Sequence, residues 1–302
     1  KDGKWSKSAV LPDGQWIVEG FDHTAWQYAQ GVFEGMVATQ NGEIVEDAAG
    51  LQIEAEVQNG RITVFRPEEN ARRFIKSCER MGLPPISVDQ FIQAVTAAVK
   101  NNKEFIPKNG KLYIRPFMVG LKGGTGVHPA KEYLFAVEVS PYGEYLPKKA
   151  EDASEPGGHP ANDKARLEKI RSQRTAKVVT YPRGMNGPDK IAPNYGPLMA
   201  LKEAFIKEGF ADILLVDDGH IQEFSSSNFF TVKHQSNGRS GKKKFVLSTP
   251  PLSSNALPGI NRKSLLRVLR DPAIQEMIGC EIEVRDDESM SEQQLNPMIG
   301  AD

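Results

Sequence analysis

Cysteine is scarce in this chain, with two residues among 302, and no apolar run is long. Cys78 and Cys280 form no CxxC pair and no metal-ligand spacing, so neither a zinc site nor a disulfide framework is indicated, and no metal is expected. A reducing compartment is the default for such usage. No uninterrupted apolar stretch approaches the length of a membrane span. The opening segment, "KDGKWSKSAVLPDGQW", lacks the apolar core of a secretory signal. The expected location is therefore cytoplasmic, with an organellar matrix after removal of a transit peptide left open. An excess of charge of either sign is lacking as well. The formal balance is −1, which gives no electrostatic footprint for nucleic acid or an acidic membrane as partner. The chain also lacks a GxSxG elbow, a Walker loop, an HExxH helix and a GxGxxG at a strand–helix junction. "GLKGGTG" shares only glycine content with a phosphate loop, and His23 and His128 are isolated histidines with ordinary structural readings. No repeat of fixed period is visible.

What is present is a regular alternation of strand and helix signals. "EGMVATQNGEIV" and "GLQIEAEVQNGRITVFR" carry Asn-Gly between apolar runs, a strong hairpin signature. "PEENARRFIKSCERMGLPP" predicts a helix with Pro67 at its start, acids in its first turn and an apolar face of Ala71, Phe74, Ile75, Cys78 and Met81. Gly82 ends it. "SVDQFIQAVTAAVKNN" predicts a second helix capped by Ser87, and "KLYIRPFMVGL" and "YLFAVEVSPYG" predict strands. Residues 146–163 are polar and rich in Pro, Gly and Ala, the composition of a linker. Beyond it follow the strand "KVVTYP", a helix through "PLMALKEAFIKEGF", the strand "ADILLVDD", an Asp-Gly turn and "HIQEFSSSNFFTVK". A basic hairpin tip, "NGRSGKKK", leads to "FVLSTPP", the helix "NRKSLLRVLRD" and the strand "CEIEVRD". The expectation is an α+β protein of two domains, 1–145 and 164–302, joined by the linker and sharing a cleft.

Four local features invite a chemical reading. Lys190 lies in "GPDKIAPNYGP", a stiff run of Gly, Pro and Asn before an apolar helix, with Tyr195 five residues on. Lysine amines attack carbonyls once burial or nearby cations lower their proton affinity. Glu223 interrupts the apolar strand of "HIQEFSSSNFF", where a carboxylate is costly without a positive partner, and from the pattern alone strand alternation turning it to solvent is the better reading. "LPGINR" starts a helix at Ile260 and Asn261, whose N–H groups suit a phosphate. Arg72 and Arg73 both follow "FRPEEN", and pattern alone does not choose between them. Taken singly, each has a bland explanation on a surface or at a helix end.

Together they do not. "YAQGVFEGM", "FRPEENARRF", "LYIRP", "DKIAPNY", the Glu223-to-Asn228 spacing and "TPPLSSNALPGINR" stand in the order seen in branched-chain-amino-acid aminotransferases. From about Trp16 to its end, the chain resembles this group of class IV pyridoxal-phosphate enzymes, which share fold type IV. The resemblance implies that Lys190 carries pyridoxal 5′-phosphate covalently and acts as acid and base. It implies that Tyr195 meets the cofactor's phenolic oxygen and Glu223 its ring nitrogen. Arg73, rather than Arg72, matches the phosphate-binding arginine, with Ser226 and the backbone at Ile260 and Asn261 sharing that phosphate. Tyr28, Phe33, Tyr113 and Arg115 would line the substrate pocket, Arg115 receiving the distal carboxylate of glutamate or 2-oxoglutarate. The implied reaction is ping-pong transamination of leucine, isoleucine and valine with 2-oxoglutarate, in a homodimer.

The same constellation also resembles D-amino-acid aminotransferase, (R)-amine transaminase and aminodeoxychorismate lyase, and a non-catalytic binding module is the alternative from another class. Two departures bear on the choice. Ala192 and Pro193 stand where the family usually has glycines before Asn-Tyr. After "NPMIGAD" the family continues into a Gly-Thr-Ala segment that is not found here, so the second domain reads as incomplete at that end.

Overall fold

A computed structural model describes residues 23–40, 55–57, 60–106, 111–142, 175–183, 187–235 and 242–295. The Asn41-Gly42 turn, the 146–163 linker, most of the basic hairpin tip and "NPMIGAD" lie outside the described residues. The chain divides into two compact units. One is Lys1–Tyr145 with Asp189–Pro193, the other Leu146–Pro188 with Asn194–Asp302. The short segment carrying Lys190 thus packs with the first unit, although both its flanks belong to the second.

Among the described residues the first unit is an antiparallel sheet packed with the helices Pro67–Arg80 and Val88–Asn101. Its strands are β1 (Gly31–Phe33), β2 (Met36–Gln40), β3 (Ala55–Val57), β4 (Gly60–Val64), β5 (Lys111–Gly120) and β6 (Tyr133–Tyr142). Strand β5 is the spine. It pairs along its whole length with β6, and its other edge takes β2 and then β1, with β4 and β3 continuing beyond β2. The expected β3–β4 hairpin forms, with Val57 opposite Gly60. Ahead of the sheet runs a short helix, α1 (Thr24–Tyr28).

Helix α2 (Pro67–Arg80) begins at its proline, has Glu68 and Glu69 in its first turn, and stops before Gly82, whose φ of 62° suits glycine. Helix α3 (Val88–Asn101) opens with a capping box in which Ser87 and Gln90 satisfy each other's backbone. Both helices bury an apolar face with Leu112, Ile114 and Met118 of β5. Phe74 and Phe91 stand 5.3 Å apart, and Phe135 meets Phe74 edge-on at 5.6 Å. Cys78 is part of this core. Burial pushes its thiol up to about 12, so it packs as a small apolar group and stays protonated at neutral pH.

Among the described residues the second unit has two three-stranded sheets. In the first, β7 (Ala176–Thr180) pairs parallel with β8 (Asp212–Asp217), which pairs antiparallel with β9 (His220–Phe224). Helix α4 (Gly196–Lys207) lies between β7 and β8 in the chain, as a parallel pair requires. The continuous apolar run of β8 explains its central position. Leu214 and Val216 pack with Ile221, Phe229 and Met290, while Ile213 and Leu215 pack with Leu198. Asp218 and Gly219, both with positive φ, make the predicted tight turn into β9. In the second sheet β11 (Lys243–Ser248) pairs antiparallel with β10 (Thr231–Gln235) and parallel with β12 (Cys280–Arg285). Helices α5 (Ile260–Arg270) and α6 (Pro272–Met277) form the crossover. The sequence reading does not include α6, whose six residues are too few for a periodic signal.

Candidate active site

In the first unit the decisive feature is the alternation of "VFEGMVA". Val32, Glu34, Met36 and Ala38 fall on the core side of the sheet and are all buried. A carboxylate aimed into a core must find donors. Glu34, fully buried, receives Nε of Arg73 at 2.7 Å and Nη2 at 2.8 Å, and Nδ2 of Asn70 at 2.8 Å. Arg73 and Asn70 lie one helical turn apart on α2, so both reach the same acid. Arg72 instead stands exposed against Glu69. The structure thus separates the two arginines, Arg73 turned inward to Glu34 and Arg72 outward to Glu69.

On the opposite face of the sheet, Phe33 and Gly35 meet Tyr113 and Arg115. The Arg115 guanidinium carbon lies 4.5 Å from the centre of the Phe33 ring and 5.0 Å from that of Tyr113, and Nη2 donates to the Tyr113 hydroxyl. Gly35 permits this, because a Cβ there would stand 2.6 Å from the Tyr113 hydroxyl oxygen. The Lys190 amine joins the group, with Nζ 4.9 Å from the centre of the Phe33 ring.

The Lys190 backbone is held on both sides. Its N–H donates to Ser77 Oγ at 3.0 Å, its carbonyl accepts from the N–H of Phe33 at 3.2 Å, and Ile191 bridges to Val32. Ser77 Oγ donates in turn to the carbonyl of Arg73, so one hydroxyl links the lysine to the arginine's own helix turn. Asp189 pairs with Arg80 at 2.9 Å. The Gly/Pro-rich run is therefore a clamped segment that sets the origin of the amine. Of the predicted residues in this unit, Lys190, Phe33, Tyr113 and Arg115 form one cluster, and Arg73 is tied to it through Ser77. Tyr28 stands apart, two-fifths exposed, its hydroxyl donating to the carbonyl of Thr125.

In the second unit Glu223 is buried, and the solvent-facing alternative does not apply. It accepts from Arg183 Nη1, from Asn228 Nδ2 at 3.0 Å and from the N–H of Leu257 at 3.1 Å. Asn228 Nδ2 also donates to the carbonyl of Leu257. Its Oδ1 occupies the space a side chain at position 259 would need, since a Cβ on Gly259 would approach it to 1.9 Å. The Asn228 side chain thus couples Glu223 to the start of α5, where Gly259 provides no side-chain cap for the N–H groups at Ile260 and Asn261. Arg262, one turn in, is buried with Nη2 on the carbonyl of Pro250, and burial lowers its proton affinity. Tyr195 ends the 3-10 turn Ala192–Asn194 and lies under the Arg183 guanidinium, 5.6 Å from ring centre to Cζ. Ser226 is exposed on the turn between β9 and β10.

The model of the family described as amino-transferase class IV matches residues 54–292, most of the chain; Tyr28, Phe33, Glu34 and Gly35 lie before the matched range. The chain belongs to the class IV aminotransferase family. Among curated relatives of this class IV chain, branched-chain-amino-acid aminotransferase 5, chloroplastic, from Arabidopsis thaliana is 34% identical over 89% of the chain and 56% of that protein. The branched-chain-amino-acid aminotransferase of Helicobacter pylori is 30% identical over 90% of the chain and 69% of that protein. The chain spans little more than half the length of the plant relatives it matches. Its fold is that of the branched-chain aminotransferases. The T.th. branched-chain amino acid aminotransferase complexed with N-(5′-phosphopyridoxyl)-L-glutamate aligns with a TM-score of 0.64, at 22% identity over 95% of this chain and 76% of that one. The Thermoproteus uzoniensis enzyme with norvaline gives 0.62 at 21% identity, over 94% and 76%.

Glu34, Asn70 and Arg183, like Ser77 and Asn228, escaped the sequence reading as site residues. Glu34 carried a usable signal, because strict alternation from Val32 to Ala38 places it inward. Asn70 carried a weaker one, three residues before Arg73. Arg183 carried none, since "YPRG" before a loop has no periodicity to orient it.

Proposed function

We propose that this class IV chain belongs to an enzyme that transfers the amino group of branched-chain L-amino acids to 2-oxoglutarate with pyridoxal phosphate. The observation that carries the reading is the clamped Lys190. An amine whose backbone is fixed by Ser77 and by Phe33 is preorganised for chemistry at one point in space. The similarity to branched-chain aminotransferases, at 30–34% identity, supports the substrate class.

The residues present fit this cofactor. A phosphate ester needs cations and N–H groups; the uncapped start of α5 at Ile260 and Asn261 would supply the latter, with Ser226 as a further hydroxyl donor, and Arg73, the proposed cation, already places Nε and Nη2 on Glu34. A protonated ring nitrogen needs an ionised carboxylate, and Glu223 is surrounded by donors that favour that form. Tyr195 would bind the phenolic oxygen. When bound, the cofactor supplies an electron sink for charge developing at the substrate's Cα.

Lys190 then takes the Cα proton and returns it to the adjoining reaction centre, a transfer its tethered backbone keeps within reach. Phe33 and Tyr113 offer apolar surface to a branched side chain. Arg115, held between their rings, offers a guanidinium to the second carboxylate of 2-oxoglutarate. The donor leaves as its 2-oxo acid before the acceptor enters, which is ping-pong order. A homodimer and a location in the cytoplasm or an organellar matrix complete the proposal; plant relatives are described as chloroplastic or mitochondrial. No described helix is long and apolar enough to cross a membrane.

The test is spectroscopic. L-leucine should change the visible absorption of the cofactor-loaded protein, and 2-oxoglutarate should restore it, with glutamate appearing in step. A response to D-alanine with none to L-leucine would reject the branched-chain reading in favour of the D-amino-acid group.

A further inference from the structure

Arg183 is a buried charge that the proposed chemistry leaves unused. Its side chain is 2% exposed, and Nη1 donates to Glu223 Oε1. Its Nε and Nη2 are buried with no hydrogen-bond partner among the described residues. A guanidinium with two donors unmade is a poor device for stability, because burying a charge is repaid only when its hydrogen bonds are satisfied. Its placement is nonetheless tightly fixed. The Arg183 N–H donates to Gln222 Oε1 at 3.1 Å, and Gln222 Nε2 donates to the carbonyl of Ser254 at 2.8 Å.

The two oxygens of Glu223 are treated differently. Oε2 receives neutral donors, Asn228 Nδ2 and the N–H of Leu257, whereas Oε1 receives a cation. Arg262 also acts on Glu223 electrostatically, but its guanidinium bonds the carbonyl of Pro250. Arg183 thus sets a positive charge in direct contact with the carboxylate, and charge-assisted bonds are the stronger kind.

We propose that Arg183 is a positioning residue that fixes Glu223 as a carboxylate for the cofactor's ring nitrogen, so that without its charge the proton on that nitrogen passes to Glu223. The inference rests on the pyridoxal-phosphate reading. It goes beyond that reading by making protonation of the ring depend on a residue that does not touch it.

The experiment loads the protein with pyridoxal phosphate labelled with ¹⁵N in the ring and records the ring-nitrogen chemical shift. The wild-type protein should give the shift of a protonated pyridine. Arg183→Gln should give the unprotonated shift and weaken cofactor binding by roughly 10- to 100-fold, the loss of one charge-assisted bond. Arg183→Lys, which keeps a charge, should restore the protonated shift. An Arg183→Gln protein with wild-type shift and affinity would overturn the inference while leaving the cofactor assignment intact. If circular dichroism shows Arg183→Gln unfolded, Arg183→Lys decides: a protonated shift supports the role, and an unprotonated one in the folded protein overturns it. A wild-type protein that takes up no cofactor would sink the underlying reading instead.

Discussion

Lys190→Ala should lower leucine-dependent conversion of 2-oxoglutarate to glutamate by on the order of 10⁴-fold, with little loss of fold. The size follows from the two tasks proposed for one amine, covalent anchoring of the cofactor and movement of the Cα proton. Preservation of the fold follows from where the segment is held. Its contacts to Ser77, Phe33 and Val32 are made by backbone atoms, which alanine retains. The approach of Nζ to the Phe33 ring is lost, about 0.5–1 kcal/mol for a partly exposed cation–π pair. Steady-state kinetics and a thermal melt on the same sample separate the effects. Lys76→Ala, an exposed lysine on α2, should change neither. Retained turnover in Lys190→Ala would remove the residue from the mechanism.

Glu34→Ala should produce the largest stability loss of these changes, about 3–5 kcal/mol, because it strands the charge of Arg73 beneath the sheet. Glu34 is fully buried and Arg73 nearly so, and two guanidinium nitrogens and one amide lose their acceptor together. The comparison is internal to α2. Arg72→Ala breaks an exposed pair with Glu69 and should cost no more than about 0.5 kcal/mol. Adding Arg73→Met to Glu34→Ala should recover part of the loss, since the uncompensated charge is then gone. Chemical denaturation of the wild-type protein and these three variants measures all of this. Equal midpoints for Glu34→Ala and Arg72→Ala would show that the buried pair is not what holds α2 to the sheet.

These two residues also show how far the sequence carried. Lys190 was legible because Gly, Pro and Asn around a lone lysine exclude helix and central strand, and the order of motifs along the chain suggested the role proposed for it. Most elements were legible for the same local reasons: a proline at the start of α2, a capping serine before α3, an Asp-Gly turn before β9. Glu34 was legible in principle, since period two fixes its face, but its meaning lay in Arg73, 39 residues away. Arg183 and Glu223 are 40 residues apart, and no local pattern pairs them. What escaped was the pairing of distant charges, which depends on tertiary structure rather than on propensity. The grouping of Asp189–Pro193 with the first unit escaped for a related reason. Five residues without periodicity do not reveal which core they join, whereas the buried side chain of Ile191 does.

The most direct measurement is the chemical identity of the residue that carries the cofactor. The protein, loaded with pyridoxal phosphate, is reduced with borohydride, digested and analysed by mass spectrometry. One phosphopyridoxyl group should be fixed on Lys190 in the peptide spanning "GPDKIAPNYGP", and L-leucine added before reduction should release it. A label on another lysine, or none on the folded and loaded protein, would contradict the account.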